Sequence, residues 1–269
     1  MALHHGRATS VETLPNEIMV AILDPFATTE LLPLAAVCNR FHLVITRLLY
    51  RRLVNVSSLP SNDLILECYH PSAKITTPYL ACRHLGTSTR GDEIRKGDHV
   101  EASDLKRMYS SFKPVIAEEN RRHRLDGEVV DDTATEMISL DEGSLFSQLC
   151  AQINLVKVGP RPGLFTSCVP MSEGVIRTWR EWLAQEADGR GDGILWLGTD
   201  QGVGLRFRVT HGASDRMPVI SGPDDYPPIT YRLEYQELIV RTRKLLIAAE
   251  EAEVQHFSNS GKAIVIASM

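Results

Sequence analysis

Apolar residues between Leu14 and Leu53 recur at helical spacing, whereas those beyond Leu53 recur mostly at every second position. The pattern predicts a short helical unit followed by a strand-rich remainder. In the first element, Ile18 and Ile22 stand four residues apart, and Met19 and Leu23 widen their stripe until Asp24-Pro25 interrupts it. Pro15 supplies a helical φ with no amide to leave unpaired, and Glu17 is placed to reach back to the free amides of that turn. Thr28 and Thr29 are available caps for a second helix with Leu31, Leu34 and either Leu32 or Ala35 on its inner face, closed by Val37-Cys38. Asn39 is the expected cap of a third, carrying Phe41, Val44, Ile45, Leu48 and Leu49.

Past Leu53 the run Leu64 to His70 reads as a strand with Leu64, Leu66 and Cys68 on one face, and Lys74 to Leu85 holds a further extended piece. Ser103 to Phe112 reads as a short helix lining up Leu105, Met108, Tyr109 and Phe112. Leu140 to Val158 combines a helix-like stretch around Leu145, Phe146 and Leu149 with a strand from Ile153, and Leu164 to Val169 forms the next strand. A helix is expected from Ser172, with Val175, Ile176, Trp179, Trp182 and Leu183 as its core face. Ile194 to Leu197 and Gly204 to Val209 read as strands joined by a glycine-bearing turn. In the second of them Leu205, Phe207 and Val209 oppose Arg206 and Arg208. Tyr231, Leu233 and Tyr235 alternate as a strand, and Leu238 to Val254 take helical spacing. No repeat occurs at solenoid or propeller periods.

The expected architecture is therefore α+β: a three-helix unit at residues 11–53, then a mixed, strand-rich domain at 60–257. A charged loop is expected near 117–135, and flexible termini at 1–10 and 258–269. With 269 residues, 43% apolar and 23% charged, the chain has ordinary globular composition, enough for a core in the larger unit. A net charge of −5 offers no overall basic field for nucleic acid. No apolar run approaches membrane-spanning length, and the first ten residues lack the apolar stretch of a secretory signal, so a soluble cytoplasmic or nuclear protein is expected, with no membrane partner. Its five scattered cysteines fit reduced thiols better than a disulfide scaffold.

Candidate chemistry is thin. Cys68-x-His70 and Cys82-x-His84 supply two matched ligand pairs, but their spacing departs from common zinc modules. GTDQGVG, residues 198–204, lacks the Lys-Ser/Thr of a phosphate loop and reads as a hairpin turn. Cys168 has no assignable histidine. The acidic set Asp131, Asp132, Glu136, Asp141 and Glu142 lacks calcium-loop spacing. Arg121, Arg122, His123 and Arg124, the densest basic run, sit beside Glu118 and Glu119 and read as a self-compensated loop. No catalytic residue, cofactor or metal site is expected.

Within the helical unit, Leu14, Pro15, Glu17 and Ile18, then Leu31 and Leu32, then Val37, Cys38, Arg40 and Phe41, and finally Tyr50 follow one another in the order of the F-box pattern, which this segment resembles. Pro33 inside the second helix and Tyr50 in place of the commoner tryptophan are its departures. The texture of the remainder also resembles fungal F-box proteins of similar length. The resemblance implies a non-catalytic substrate receptor of an SCF-type ubiquitin ligase, bound to a Skp-family adaptor and through it to a cullin–RING ligase. An unknown protein substrate would be held by the second domain. It also allows an adaptor-bound protein with an assembly or regulatory role independent of ubiquitin. The residues it implies for adaptor binding are Leu14, Pro15, Ile18, Ile22, Leu31, Leu32, Val37, Cys38 and Phe41.

Overall fold

The computed structural model describes residues 11–74, 77–89, 101–117, 133–159, 164–212, 228–258 and 264–265. After a 3₁₀ turn at Val11–Thr13, the chain forms α1 (Asn16–Leu23), α2 (Thr28–Leu34) and α3 (Asn39–Ser57). Pro15 stands just before the first helical residue, its φ of −56° and ψ of 152° leading the chain into α1. Met19 and Leu23 of α1, Leu31 of α2 and Val44, Ile45 and Leu48 of α3 bury one another in a small separate core. Seven-residue and eight-residue helices have little stability of their own, so this shared burial is what holds them.

The remainder is a curled antiparallel sheet. Its strands are β1 (Asp63–Tyr69), β2 (Leu80–Thr89), β3 (Met108–Ile116), β4 (Thr135–Leu140), β5 (Phe146–Val158), β6 (Leu164–Trp179), β7 (Ile194–Leu197), β8 (Val203–His211), β9 (Ile229–Arg241) and β10 (Ile264–Val265). They run in the order β10-β6-β5-β1-β2-β3-β9-β8-β7. β9 shares one edge between two partners, β3 along Leu238–Arg241 and β4 along Ile229–Glu234, and gives its other edge to β8. Curling brings β6 and β7, near opposite ends of that order, into contact.

Among the described residues, three further α-helices accompany the sheet: α4 (Ala102–Arg107), α5 (Arg180–Ala187) and α6 (Thr242–Ser258). α6 packs on β5 and β6 and against α3, contributing Leu245, Leu246, Ala248 and Ala252 to the main core. That core also takes Leu64, Leu66 and Cys68 from β1, Leu149, Ala151 and Ile153 from β5, and Leu205, Phe207 and Val209 from β8, each set on one face by period-two alternation. A smaller cluster of Ile65, Val156 and Phe165 lies on the other face.

α3 belongs to both cores. Ile45 and Leu48 sit in the first, while Leu53 and Val56 sit in the second. Leu59 then turns the chain in the left-handed region at φ 51°, a strained conformation for a leucine, while its side chain stays buried in the second core. The helical unit and the sheet are therefore joined by an unbroken helix.

Four helical expectations are corrected. Residues 172–179 are the second half of β6, not a helix, because β5 offers them a ladder from Phe146↔Trp179 to Ile153↔Ser172; the helix begins only at Arg180. Trp179 is correspondingly 47% exposed and not core. The stretch at Leu145, Phe146 and Leu149 is extended for the same reason, forming the other half of that ladder. α4 stops at Arg107, and Met108 to Phe112 pass into β3, paired on both edges with β2 and β9. Leu238 to Arg241 remain strand between β3 and β8, so α6 starts at Thr242. In each case partners distant in sequence override a local pattern compatible with a helix. The charged run expected near 117–135 falls mostly outside the described residues.

Candidate functional site

α1 carries apolar side chains on more of its circumference than its core can cover. Met19 and Leu23 point inward and are 2% and 5% exposed, while Ile18 and Ile22, each one position earlier and about 100° round the helix, are 48% and 51% exposed. Leu32 on α2 and Val37 in the turn before α3 are open as well, as are Val11 and Phe26 at the two ends of α1. Isolated exposed leucines are ordinary on a soluble protein. An exposed i, i+4 isoleucine pair with further exposed apolar residues is a large apolar area for a unit this small to leave open.

The residues expected from the resemblance divide into two sets. Pro15, Ile18, Ile22, Leu32, Val37 and Cys38 are on the surface. Leu31 is fully buried, and Leu14 and Phe41 are half-buried against the small core, so these three support the surface from beneath.

Two arginines of α3 fix the surface in place. Arg40 donates through Nε and Nη2 to Asn16 Oδ1, both at 3.0 Å, and through Nη2 to the Leu14 carbonyl, pinning the start of α1. Arg52 donates to the carbonyls of Asp24 at 2.6 Å and Phe26 at 2.8 Å, which closes the α1–α2 turn. It also reaches Thr28 Oγ1 at 3.3 Å and pairs with Glu250 of α6 at 3.2 Å. Glu250 accepts from the Thr28 amide at 2.9 Å and the Thr28 hydroxyl at 2.6 Å. A carboxylate on the free amides of a helix N-terminus is favoured by both hydrogen bonding and the helix dipole. Glu30 similarly accepts from the Ala27 amide at 2.8 Å. Neither Thr28 nor Asn39 caps its helix as expected; Ala27 and Cys38 hold the cap positions, and Glu30 and Glu250 satisfy amides of α2 instead. Glu250 carries no sequence motif that would single it out. In the sequence Arg40 occupies only a variable position inside the Val-Cys-x-x-aromatic step.

The remaining candidates do not assemble. β1 and β2 pair with Leu64 opposite Cys82, which leaves Cys68 about four residues, or roughly 13 Å, further along the ladder. His70 bonds Ser72 at 2.7 Å, and His84 bonds Thr87 at 3.3 Å and lies against the Phe112 ring. Burial pushes the Cys68 thiol up to about 12, and burial followed by the nearby Glu67 charge raises that of Cys168, so both thiols stay protonated at neutral pH. Among the described residues, no group of three His, Cys, Asp or Glu side chains gathers as metal ligands. Gly198 to Gly202 form the turn between β7 and β8, with Gly198 at φ 78° and Gln201 at φ 48°. There the Gly202 amide and the Lys244 ammonium hold the Asp200 carboxyl below the usual range. The basic run Arg121 to Arg124 and the acids Asp131 and Asp132 lie outside the described residues. No described helix is long and apolar enough to cross a membrane.

The sheet has its own exposed feature. Trp179 packs on Phe146 across the β5–β6 ladder with ring centroids 5.0 Å apart, and Arg177 lies 5.5 Å over the Phe146 ring. Val175 continues the row and is 56% exposed.

Residues 11–55 match the family described as F-box-like. The matched segment is the three-helix unit, its small core and its exposed isoleucine pair. No curated protein and no solved structure matches the chain.

Proposed function

We propose that this chain, which carries an F-box-like domain at residues 11–55, is a non-catalytic substrate-recognition subunit of an SCF-type ubiquitin ligase. An F-box-like domain supports binding to a Skp-family adaptor and, through it, to the cullin–RING ligase. The observation that carries the reading is the exposed Ile18–Ile22 stripe, standing beside a complete core that does not need it. The adaptor covers that stripe together with Leu32 and Val37, while Leu14, Leu31 and Phe41 hold the helices at the required angles. Recruitment of a protein substrate falls to the sheet domain, and its aromatic row at Trp179 and Phe146 is the surface we assign to it. The Arg52–Glu250–Thr28 bonds and the unbroken α3 support this division, because they hold the substrate-bearing domain in a fixed direction from the adaptor.

Capture from cells tests the reading. The intact protein should recover adaptor and cullin together, and Ile18→Asp/Ile22→Asp should recover neither while folding normally. Recovery of adaptor without cullin would leave adaptor binding standing and remove the ligase role.

A further inference from the structure

α1 is an eight-residue helix whose own core contacts leave its rotation loosely set. Met19 and Leu23, four residues apart and nearly in line along the helix, are its two buried side chains. Contacts along one line fix how close a helix sits but resist rolling about its axis only weakly. At about 100° per residue, Asn16 and the partly buried Val20 stand on one side of that line, and Ile18 and Ile22 stand on the other. A roll that carries the isoleucines toward the core would cover two half-exposed apolar side chains, which the hydrophobic effect favours. The same roll swings Asn16 outward.

Arg40 opposes that roll. From the second position of α3 its Nε and Nη2 each lie 3.0 Å from Asn16 Oδ1, and Nη2 also donates to the Leu14 carbonyl. One planar guanidinium thereby grips the first residue of α1 and the chain just before it. Pro15 offers no side-chain cap, so the clamp orders a helix start that has no cap of its own. Its base is firm, since the neighbouring Phe41 packs on the small core. The bonds to Asn16 are exposed and add little to stability. What they set is direction.

We infer that Arg40 is a positioning residue for adaptor binding: through Asn16 and the Leu14 carbonyl it keeps α1 from rolling Ile18 and Ile22 onto the core. The inference rests on the reading that the adaptor covers those isoleucines. It adds that two polar residues govern what fraction of the protein is competent to bind. Molecules with the isoleucines turned inward do not bind, so apparent affinity falls with the competent fraction, and the fall lies in association more than in dissociation.

Association and dissociation rates of the full-length protein with a purified Skp-family adaptor test it, using Arg40→Ala, Asn16→Ala, Asn16→Asp and the Arg40→Ala/Asn16→Ala pair. Arg40→Ala and Asn16→Ala should each associate roughly five- to ten-fold more slowly, with melting temperatures near that of the parent. Asn16→Asp keeps an acceptor for the guanidinium and should bind as the parent does. The double variant should be no weaker than Arg40→Ala alone, because the two residues act as one pair. Parent-like binding by Arg40→Ala overturns the inference. A loss from Arg40→Ala that Asn16→Ala does not share also overturns it, since the guanidinium then acts on the adaptor directly. Should Arg40→Ala fail to fold, the exposed Asn16 decides: weak binding by Asn16→Ala beside parent-like binding by Asn16→Asp supports the inference, and equal binding by the two overturns it. Binding that survives Ile18→Asp/Ile22→Asp overturns the underlying reading instead.

Discussion

The Glu250 carboxylate accepts two hydrogen bonds from Thr28, one from its amide at 2.9 Å and one from its hydroxyl at 2.6 Å, across 222 residues of chain. One side chain thereby finishes a helix in the first unit and ties it to the last helix of the second.

Removing that charge should loosen the joint. Glu250→Gln is expected to lower stability by about 1–3 kcal/mol, since charge-assisted bonds and a partly buried arginine lose their partner together. Thr28→Val should cost less, and the double variant less than the sum of the two, as measured by denaturant unfolding. Additive effects would mean that the two residues do not act as a pair.

Surface and core positions of the helical unit should separate cleanly. Leu31→Ala empties a fully buried site and should destabilise by about 2–5 kcal/mol, whereas Ile18→Asp should change stability by no more than about 0.5 kcal/mol. Their effects on adaptor capture should run the other way at low temperature, with Ile18→Asp the more damaging. Thermal melts alongside capture assays measure both.

Cysteine labelling provides a footprint without substitution. Cys38 is exposed and should be alkylated in the native protein, while Cys68, buried and with its thiol pushed up to about 12, should react only on unfolding. Saturating adaptor should slow labelling of Cys38 and leave Cys68 unchanged, read by peptide mass spectrometry. Unslowed Cys38 would place it outside the contact.

Glu136 gives a pH signature. Burial raises its carboxyl above the ordinary value, so the folded state holds its proton more tightly than the unfolded one. Its contribution therefore weakens the fold as pH rises from the unfolded pKa through the folded one, and stays unfavourable above that. Glu136→Gln should be more stable than the parent at neutral pH, and the gap should close on acidification below the ordinary glutamate range. A gap independent of pH would exclude this cause.

Trp179→Ala should have a small effect on stability, of about 0.5–1.5 kcal/mol, because the half-exposed ring loses mainly its contact with Phe146. Leu183→Ala, at a fully buried site in α5, should cost about 2–5 kcal/mol. If Trp179→Ala leaves the melt nearly unchanged but removes captured proteins other than the adaptor and cullin, the aromatic row is a recruiting surface.

The three helices of the first unit are legible in the chain because their determinants are local: the i, i+4 isoleucines, the proline at the start and the ordered motif residues lie within about forty positions. β8 is equally legible, since Leu205, Phe207 and Val209 alternate with arginines over a half-buried face. β6 is not. Val175, Ile176, Trp179, Trp182 and Leu183 fit a helical face, yet Ile176 and Thr178 point inward while Val175, Arg177 and Trp179 point outward. Only the β5 ladder decides between the two patterns. Of the site, the exposed stripe could be read from the motif. Leu31 could be placed on the inner face of α2, but whether Leu32 or Ala35 joined it could not be decided without knowing which way α2 faces, and Glu250 could not be found at all, because nothing local links an acid near the chain's end to a threonine near its beginning.

α3 is the feature with the widest practical bearing. Because Ile45 and Leu48 serve one core and Leu53 and Val56 the other, the matched segment is not a bead that can be snipped from its string. A fragment ending at residue 55 keeps Leu53 but strips away the surface it packs against, and one beginning at residue 60 leaves a hollow where Leu53, Val56 and Leu59 had been. Exchange of sheet domains between proteins of this architecture must then splice within a helix in register, where one residue gained or lost swings the attached domain by about 100° and points it in a different direction.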